Sequence, residues 1–474
     1  MSGPRVRFAP SPTGHLHLGG ARTALVNVLF ARREGGRFVL RIEDTDVERN
    51  VPGAERSLED DLRWLGIVPD ESPSAGGSYG PYRQSERSAQ HREAFEVLRG
   101  SGRAYPCFCP AGERSEYRCP RGCANLPADE GARRIAAGEA HAYRFRLIDE
   151  EREIEDLLHG RVSFAGAPAP DPVLLRPDGH ATFLFAGAVD DAGMAITHVI
   201  RGEDHLPNAW KQAQIARALG APEPRWAHLP LILGPDRSPL SKRGGVTSIG
   251  RLREAGFPAE AVVVALAHLG MEAPGIEPGA DPWPALVRGF DLVRVSTAPS
   301  VHDEGRLEHL SAAWLRALPA RAIAERVAAR DDVAALFGAA PPASGWWPDL
   351  LALCAASRTT LAEAVAGAAT FLRWPGAPGE PAATPVLRAW REVWPAGGLP
   401  AGGSPSLDEL SREVTRRTGA RRAELFHPLR VALTGAEQGP ALSRLAPLLD
   451  AAARGAEVRT RVVPCAERID RALG

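Results

Sequence analysis

The stretch that most restricts the fold of this chain is its opening, "RVRFAPSPTGHLHLGGARTALVNVLFARREGGRFVLRIED", residues 5–44. "RVRFA" alternates as a short strand does, and "PSPTGHLHLGG" breaks it. "GARTALVNVLFARREGG" then carries helical apolar spacing and ends on a glycine stop. "RFVLRIED" holds a continuous apolar run, the pattern of a strand buried on both faces. Strand, helix and strand in that order predict a doubly wound, Rossmann-like α/β domain with a parallel sheet. Further helices are expected from about Ala54 to Leu65 and from about Glu86 to Arg99.

Residues 101–185 change character, with a cysteine cluster and short strand-like runs such as "HAYRFRL", "GRVSF" and "PVLLR". They read as an α+β insertion that interrupts the α/β domain. The βα pattern resumes with "ITHVIRGEDH", the helix "PNAWKQAQIARALG" and the strand "RWAHLPLIL". From Ser248 onward nearly every periodic segment is helical. The expected division is therefore 1–100 and 186–245 for the two halves of the α/β domain, with 101–185 inserted. A helical region 246–318 and an all-α domain 319–474 complete it.

Lysine usage singles out one loop. Of 57 basic residues only Lys211 and Lys242 are lysines, leaving 55 arginines. Lys242 lies in "GPDRSPLSKRGG", residues 234–245. A compact, mobile ammonium can follow a phosphate through a reaction, whereas guanidinium is a rigid planar fork. Its retention in an arginine-rich chain points to chemistry, the alternative being a solvated loop lysine. The early loop "APSPTGHLHLGG" offers a second phosphate-binding feature. Gly19 and Gly20 open a helix with bare N–H groups at its positive end, beside two histidines.

Four of six cysteines, Cys107, Cys109, Cys119 and Cys123, fall in "CFCPAGERSEYRCPRGC". In a large chain that opens without a secretion-type apolar segment, such clustering favours metal over disulfides. Soft thiolates in fours suit a closed structural Zn²⁺ site. The net charge of −1 gives no global pull on nucleic acid, so any RNA-binding face must come from segregated charge. No run of 18 apolar residues suggests a membrane span. A cytoplasmic, monomeric enzyme is expected.

The early glycine–histidine loop and the late lysine loop, flanking an insertion in an α/β domain, resemble the two signatures of class I aminoacyl-tRNA synthetases. The first appears as His17-Leu18-Gly19-Gly20 and the second as Pro239-Leu240-Ser241-Lys242-Arg243. The strings "RFAPSPTGHLHLGGARTAL", "RIEDTD", "GPYRQSER", "VDD", "THVIRGEDHL", "RVSTAPSVHDEGRLEHL" and "LFHPLRVALTG" are similar to the bacterial glutamate–tRNA ligase family across essentially the whole chain. Pro239 departs from the lysine common at that position, Phe183 from a common tyrosine, and Gly187 from a commonly polar residue.

The resemblance implies a two-step reaction: glutamate attacks ATP to form an adenylate, then passes to the terminal adenosine of tRNA-Glu. It implies His17 and Lys242 as catalytic residues, with Mg²⁺ on the phosphates. Gly19, Gly20, Asp204, Ser241 and Arg243 would join them in binding ATP. Arg7 would meet the side-chain carboxylate, Ser11 and Glu43 the amino group, and Arg201 the α-carboxylate, with Ala9 and Phe183 lining the pocket. Zinc in the acceptor-stem insertion would be held by the four cysteines, with Tyr117 a possible substitute ligand. Arg416, Arg417, Arg421 and Arg422 are the expected tRNA contacts, although Glu413 and Glu424 also permit an ion-paired helix face. An enzyme that also charges tRNA-Gln and an inactive tRNA-binding paralogue are the alternatives. A truncated paralogue is excluded by the helical C-terminal region.

Overall fold

The computed structural model describes residues 3–109, 119, 122–148, 152–164, 169–238, 240, 248–272, 274–338, 340–374, 376, 385–455 and 457–473. The chain forms two compact units. One comprises Met1–Arg253, Val263–Ile276 and Asp281–Glu304, the other Glu254–Val262, Glu277–Ala280 and Gly305–Gly474.

In the first unit β1 (Arg5–Phe8), α1 (Leu18–Arg33) and β2 (Arg37–Leu40) follow the order expected from the opening residues. β1 and β2 pair in parallel with Arg7 opposite Val39. Their apolar positions are buried, Val6, Phe38, Val39 and Leu40 completely, because helices cover both sheet faces. α2 (Ala54–Trp64) and α3 (Ser88–Gly100) come next. The chain continues through β3 (Ala104–Cys107), α4 (Ala128–Ala136), β4 (Ala142–Phe145), β5 (Glu153–Asp156), β6 (Gly160–Ser163) and β7 (Val173–Leu175). It then forms α5 (Phe183–Gly193), β8 (His198–Gly202), α6 (Leu206–Ala218) and β9 (Arg225–Leu229).

The main sheet runs β2-β1-β8-β9-β5-β6, parallel throughout except for the β5–β6 hairpin. The segment read as a single insertion therefore splits. β3, β4 and β7 make a separate antiparallel sheet, while β5 and β6 extend the main one beyond β9. Asp156 of β5 stands opposite Trp226 of β9. α5 also crosses the expected boundary at 185. It is buried along almost its whole length, so it lacks the polar stripe by which a surface helix is recognised.

In the second unit, all regular elements among the described residues are helices. The run "RAIAERVAARDDVAALF" forms two helices, Ala320–Val327 and Asp331–Phe337. Buried Trp347 and Trp390 sit in the unit's leucine-rich core. Arg468 is fully buried and donates to the carbonyls of Val463, Leu433 and Phe371. The last two lie in the final turns of helices Arg422–Thr434 and Leu361–Arg373. A cation there satisfies carbonyls that have no partner within their own helix.

Two adjacent aspartates on α5 tie the first unit together. Asp190 receives Arg87 Nε at 2.6 Å, Gln84 Nε2 at 2.8 Å and His91 Nε2 at 3.0 Å. Burial alone would raise this carboxyl, but the His91 hydrogen bond and the Arg41 and Arg87 charges hold it below its ordinary value. Its stabilising contribution is present above the ordinary carboxylate pKa and is lost as pH falls through the depressed one. Asp190→Asn leaves Arg87 buried without a counter-charge. It should cost about 3–5 kcal/mol, read as lost hydrogen-exchange protection of β1 and β8 amides.

Candidate active site

The chain crosses from β1 through α1 to β2 on one side, and from β8 through α6 to β9 on the other. Reversal of crossover direction between two neighbouring parallel strands opens a crevice at their carboxyl ends. A cavity of about 320 Å³ lies there, bounded by Arg7, Phe8 and Ala9 on one side and Arg201 and Gly202 on the other. His17, Gly19, Gly20, Glu43, Phe183 and Asp204 also line it. An adjoining space of about 1050 Å³ adds Ser11. Leu240 reaches the first cavity. Pro239, Ser241, Lys242 and Arg243 lie outside the described residues, as does Tyr117.

His17 caps α1. Its backbone is extended, and Nδ1 accepts the Gly20 N–H at 3.1 Å. An imidazole that accepts through Nδ1 carries its proton on Nε2. The cavity walls hold its pKa below the ordinary value, against the opposing pull of Asp204. A Cβ on residue 19 would lie 3.2 Å from this ring, and one on residue 20 would lie 3.0 Å from Leu16 Cδ1. The glycines thus permit the close cap. A helix start with no acidic residue in its first turn faces the cavity, a setting that favours an anion.

Deeper in, the charges interlock. Arg41, with no solvent exposure, donates to Glu43 Oε1 at 2.9 Å and to Asp191 Oδ1 at 2.6 Å. Arg7 Nε meets the same Asp191 oxygen at 3.0 Å. Burial would raise the Asp191 carboxyl, but the Arg41 and Arg7 charges hold it below its usual range. Glu43 Oε2 is left open to a cation. Arg201 differs from both arginines because its three acceptors are all neutral. They are Gln212 Oε1 at 2.7 Å, His205 O at 3.2 Å and His228 Nε2 at 3.2 Å. Burial pushes this guanidinium down to about 9, and the Arg7 charge adds to the effect, so it remains charged at neutral pH. Three of five N–H groups are bound, leaving one on each terminal nitrogen as a bidentate fork.

Arg41, Asp191 and Gln212 were not among the residues singled out from sequence. The available signals were a charge inside an apolar strand run, "VLRIED", and paired aspartates in an otherwise apolar helix, "FLFAGAVDD".

Away from this cavity, the sulfurs of Cys107, Cys109, Cys119 and Cys123 lie within 4.8 Å of one another. Neighbouring Sγ pairs are 3.6, 3.7 and 3.8 Å apart. A tetrahedron with Zn–S bonds of about 2.3 Å has S···S edges of about 3.8 Å, so the donor set fits zinc without rearrangement. Cys354 and Cys465 are isolated and buried.

In the second unit, Arg416 and Arg417 both bind Glu413, and Arg417 also reaches Glu392. These two arginines hold the Glu413 carboxyl down to about 2. The ion-paired helix face therefore describes Arg416 and Arg417. Arg421 and Arg422 make no ion pair among the described residues.

Residues 4–308 match the family model described as "tRNA synthetases class I (E and Q), catalytic domain". The chain belongs to that family, the class I tRNA synthetases for E and Q. It is 41% identical over 460 residues to glutamate–tRNA ligase 1 of Halorhodospira halophila, covering 94% of each chain. It is 38% identical over 495 residues to glutamate–tRNA ligase of Desulforudis audaxviator, covering 99% and 96%. A solved glutamate tRNA ligase from Elizabethkingia meningosepticum, in complex with its amino acid, superposes with a TM-score of 0.81 at 28% identity, covering 100% of this chain and 99% of that one.

The cap made by His17 Nδ1 and the proton on its Nε2 are separable features. Asparagine can keep the cap through Oδ1, while alanine cannot, and neither supplies the Nε2–H. His17→Ala should lose about 1 kcal/mol of stability and His17→Asn almost none. Both should slow ATP–pyrophosphate exchange by about a hundredfold or more. Thermal melts and exchange assays on the two variants check this.

Proposed function

We propose that this chain is a glutamate–tRNA ligase, joining glutamate to tRNA-Glu through a glutamyl-adenylate. The observation that carries the reading is the charge balance at the cavity floor. Arg7, Arg41 and Arg201 face Glu43 and Asp191, which leaves one net positive charge. Glutamate brings two carboxylates and one ammonium, a net charge of −1 that neutralises it; glutamine does not. Arg7 and Arg201 are the forks for the two carboxylates, and Glu43 Oε2 is the acceptor for the ammonium. Arg41 holds Glu43 in place from behind. Ala9, Ser11 and Phe183 complete the walls.

ATP would lie with its phosphates against the start of α1, where His17 Nε2–H and the first-turn N–H groups not taken by the His17 cap can meet charge as it develops. Asp204 stands at the same rim. Ser241, Lys242 and Arg243 belong to this reading through the signature loop. Magnesium would arrive on the ATP phosphates, its usual ligands in such sites. The chemistry asked of the protein is mostly alignment of two substrates and stabilisation of charge. Arg421 and Arg422 are the first candidates for phosphate contacts in the second unit, with Arg416 and Arg417 able to exchange weak surface pairs for RNA. Among the described residues no helix is long and apolar enough to cross a membrane.

Purified protein should charge tRNA-Glu with glutamate, with kcat/KM for glutamine at least about a hundredfold lower. Parallel assays on tRNA-Gln separate a discriminating enzyme from one that charges both. Absence of labelled pyrophosphate exchange with either tRNA would sink the reading. Elemental analysis should find about one zinc per chain held by Cys107, Cys109, Cys119 and Cys123. Cys107→Ser or Cys123→Ser should release it and loosen the β3-β4-β7 sheet, where metal binding contributes folding energy.

A further inference from the structure

The guanidinium of Arg201 is held by a chain of groups that begins in the inserted segment. Asp156, at the end of β5, has no side-chain exposure, and neither has His228 of β9. Asp156 Oδ2 lies 2.6 Å from His228 Nδ1, and His228 Nε2 accepts from Arg201 Nε at 3.2 Å. The other Asp156 oxygen is occupied by the backbone N–H groups of Leu158 at 2.9 Å and His159 at 3.0 Å. Trp226 stacks beside the imidazole, with rings 12° apart, and its face also lies 5.2 Å from the Arg201 Cζ.

We propose that Asp156 and His228 are positioning residues for glutamate binding, acting through Arg201: the carboxylate fixes the imidazole tautomer, and the imidazole orients the guanidinium without neutralising it. The inference rests on the reading of this cavity as a glutamate site. The imidazole spacer has a physical purpose. A carboxylate in direct contact with Arg201 would aim the fork equally well but cancel its charge, as Asp191 largely does for Arg7. A neutral ring accepts one hydrogen bond and leaves the full charge for the substrate. Asp156 enforces the required tautomer, with hydrogen on Nδ1 and a lone pair on Nε2. Burial keeps His228 neutral, down to about 4, despite the opposing pull of Asp156.

Asp156→Asn tests the tautomer. Leu158 and His159 claim the amide oxygen, so the amide NH₂ faces His228 Nδ1 and the ring proton moves to Nε2. Donor then meets donor at Arg201. His228→Leu removes the acceptor, whereas His228→Gln can restore it through Oε1. Steady-state charging of tRNA-Glu should show KM for glutamate raised about ten- to hundredfold in Asp156→Asn and His228→Leu. KM for ATP should stay within about twofold and kcat within about threefold of wild type, and His228→Gln should recover most of the loss. Asp156→Asn, which preserves volume, decides the matter should His228→Leu fail to fold. Unchanged glutamate KM in Asp156→Asn, or an equal rise in both KM values, overturns the relay while wild-type charging stands. A wild-type protein that makes no glutamyl-tRNA overturns the functional reading and the relay with it.

Discussion

Arg41 is the constraint around which the first unit is arranged. A guanidinium removed from water survives only where carboxylates meet it with good geometry, because the desolvation cost is several kcal/mol per ion. Glu43 comes from the exit of β2, two residues along, but Asp191 comes from α5, which the chain reaches only after the whole 101–182 excursion. The excursion must therefore return the chain so that α5 lies against the β1–β2 end of the sheet. Arg7 on β1 shares Asp191, so β1, β2 and α5 meet at a single carboxylate. Once they do, β8 follows α5 directly into the place beside β1, and the crevice at the reversal point is set.

That arrangement gives the cavity two kinds of cation. Arg7 and Arg41 are both compensated by acids, Arg41 as fixed architecture and Arg7 with donors to spare for a ligand. Arg201 touches only dipoles, an amide, a peptide carbonyl and an imidazole, while Asp191, Glu43 and Asp204 act on it from further off. The distinction matters because an ion pair must be disrupted or shared before it can serve an incoming anion. A dipole-held guanidinium offers its charge at once. In the same cavity the start of α1 supplies further positive character with no formal charge, so two separated regions attract anions for different physical reasons.

How much of this was legible beforehand follows from how local each signal is. The β1–α1–β2 unit could be read from periodicity and a glycine stop, and the cysteine cluster from spacing alone. α5 could not, since burial on all sides erases amphipathic contrast. Arg41 and Asp191 each left a local mark, a charge within an apolar run, but their partnership was hidden because it spans 150 positions. The placement of β5 beside β9 was equally hidden: a short strand carries no mark of which sheet it joins. Arg416 and Arg417 illustrate a case where sequence left two readings open, tRNA contacts or an ion-paired helix face, and the three- and four-residue offsets to Glu413 bring the charges together. Resemblance to a known family supplied roles for His17, Glu43 and Arg201 that no single-residue argument could.

The hairpin of β5 and β6 has one more consequence. It pairs with β9 at Asp156 and Trp226, and it ends the sheet with Arg161, Glu153 and Ser163 linked to one another in solvent. A naked β9 would offer a row of unpaired amides to any other chain. The excursion thus doubles as a guard against self-templating: shortening it to build a minimal core would leave β9 as an open edge strand available to another chain.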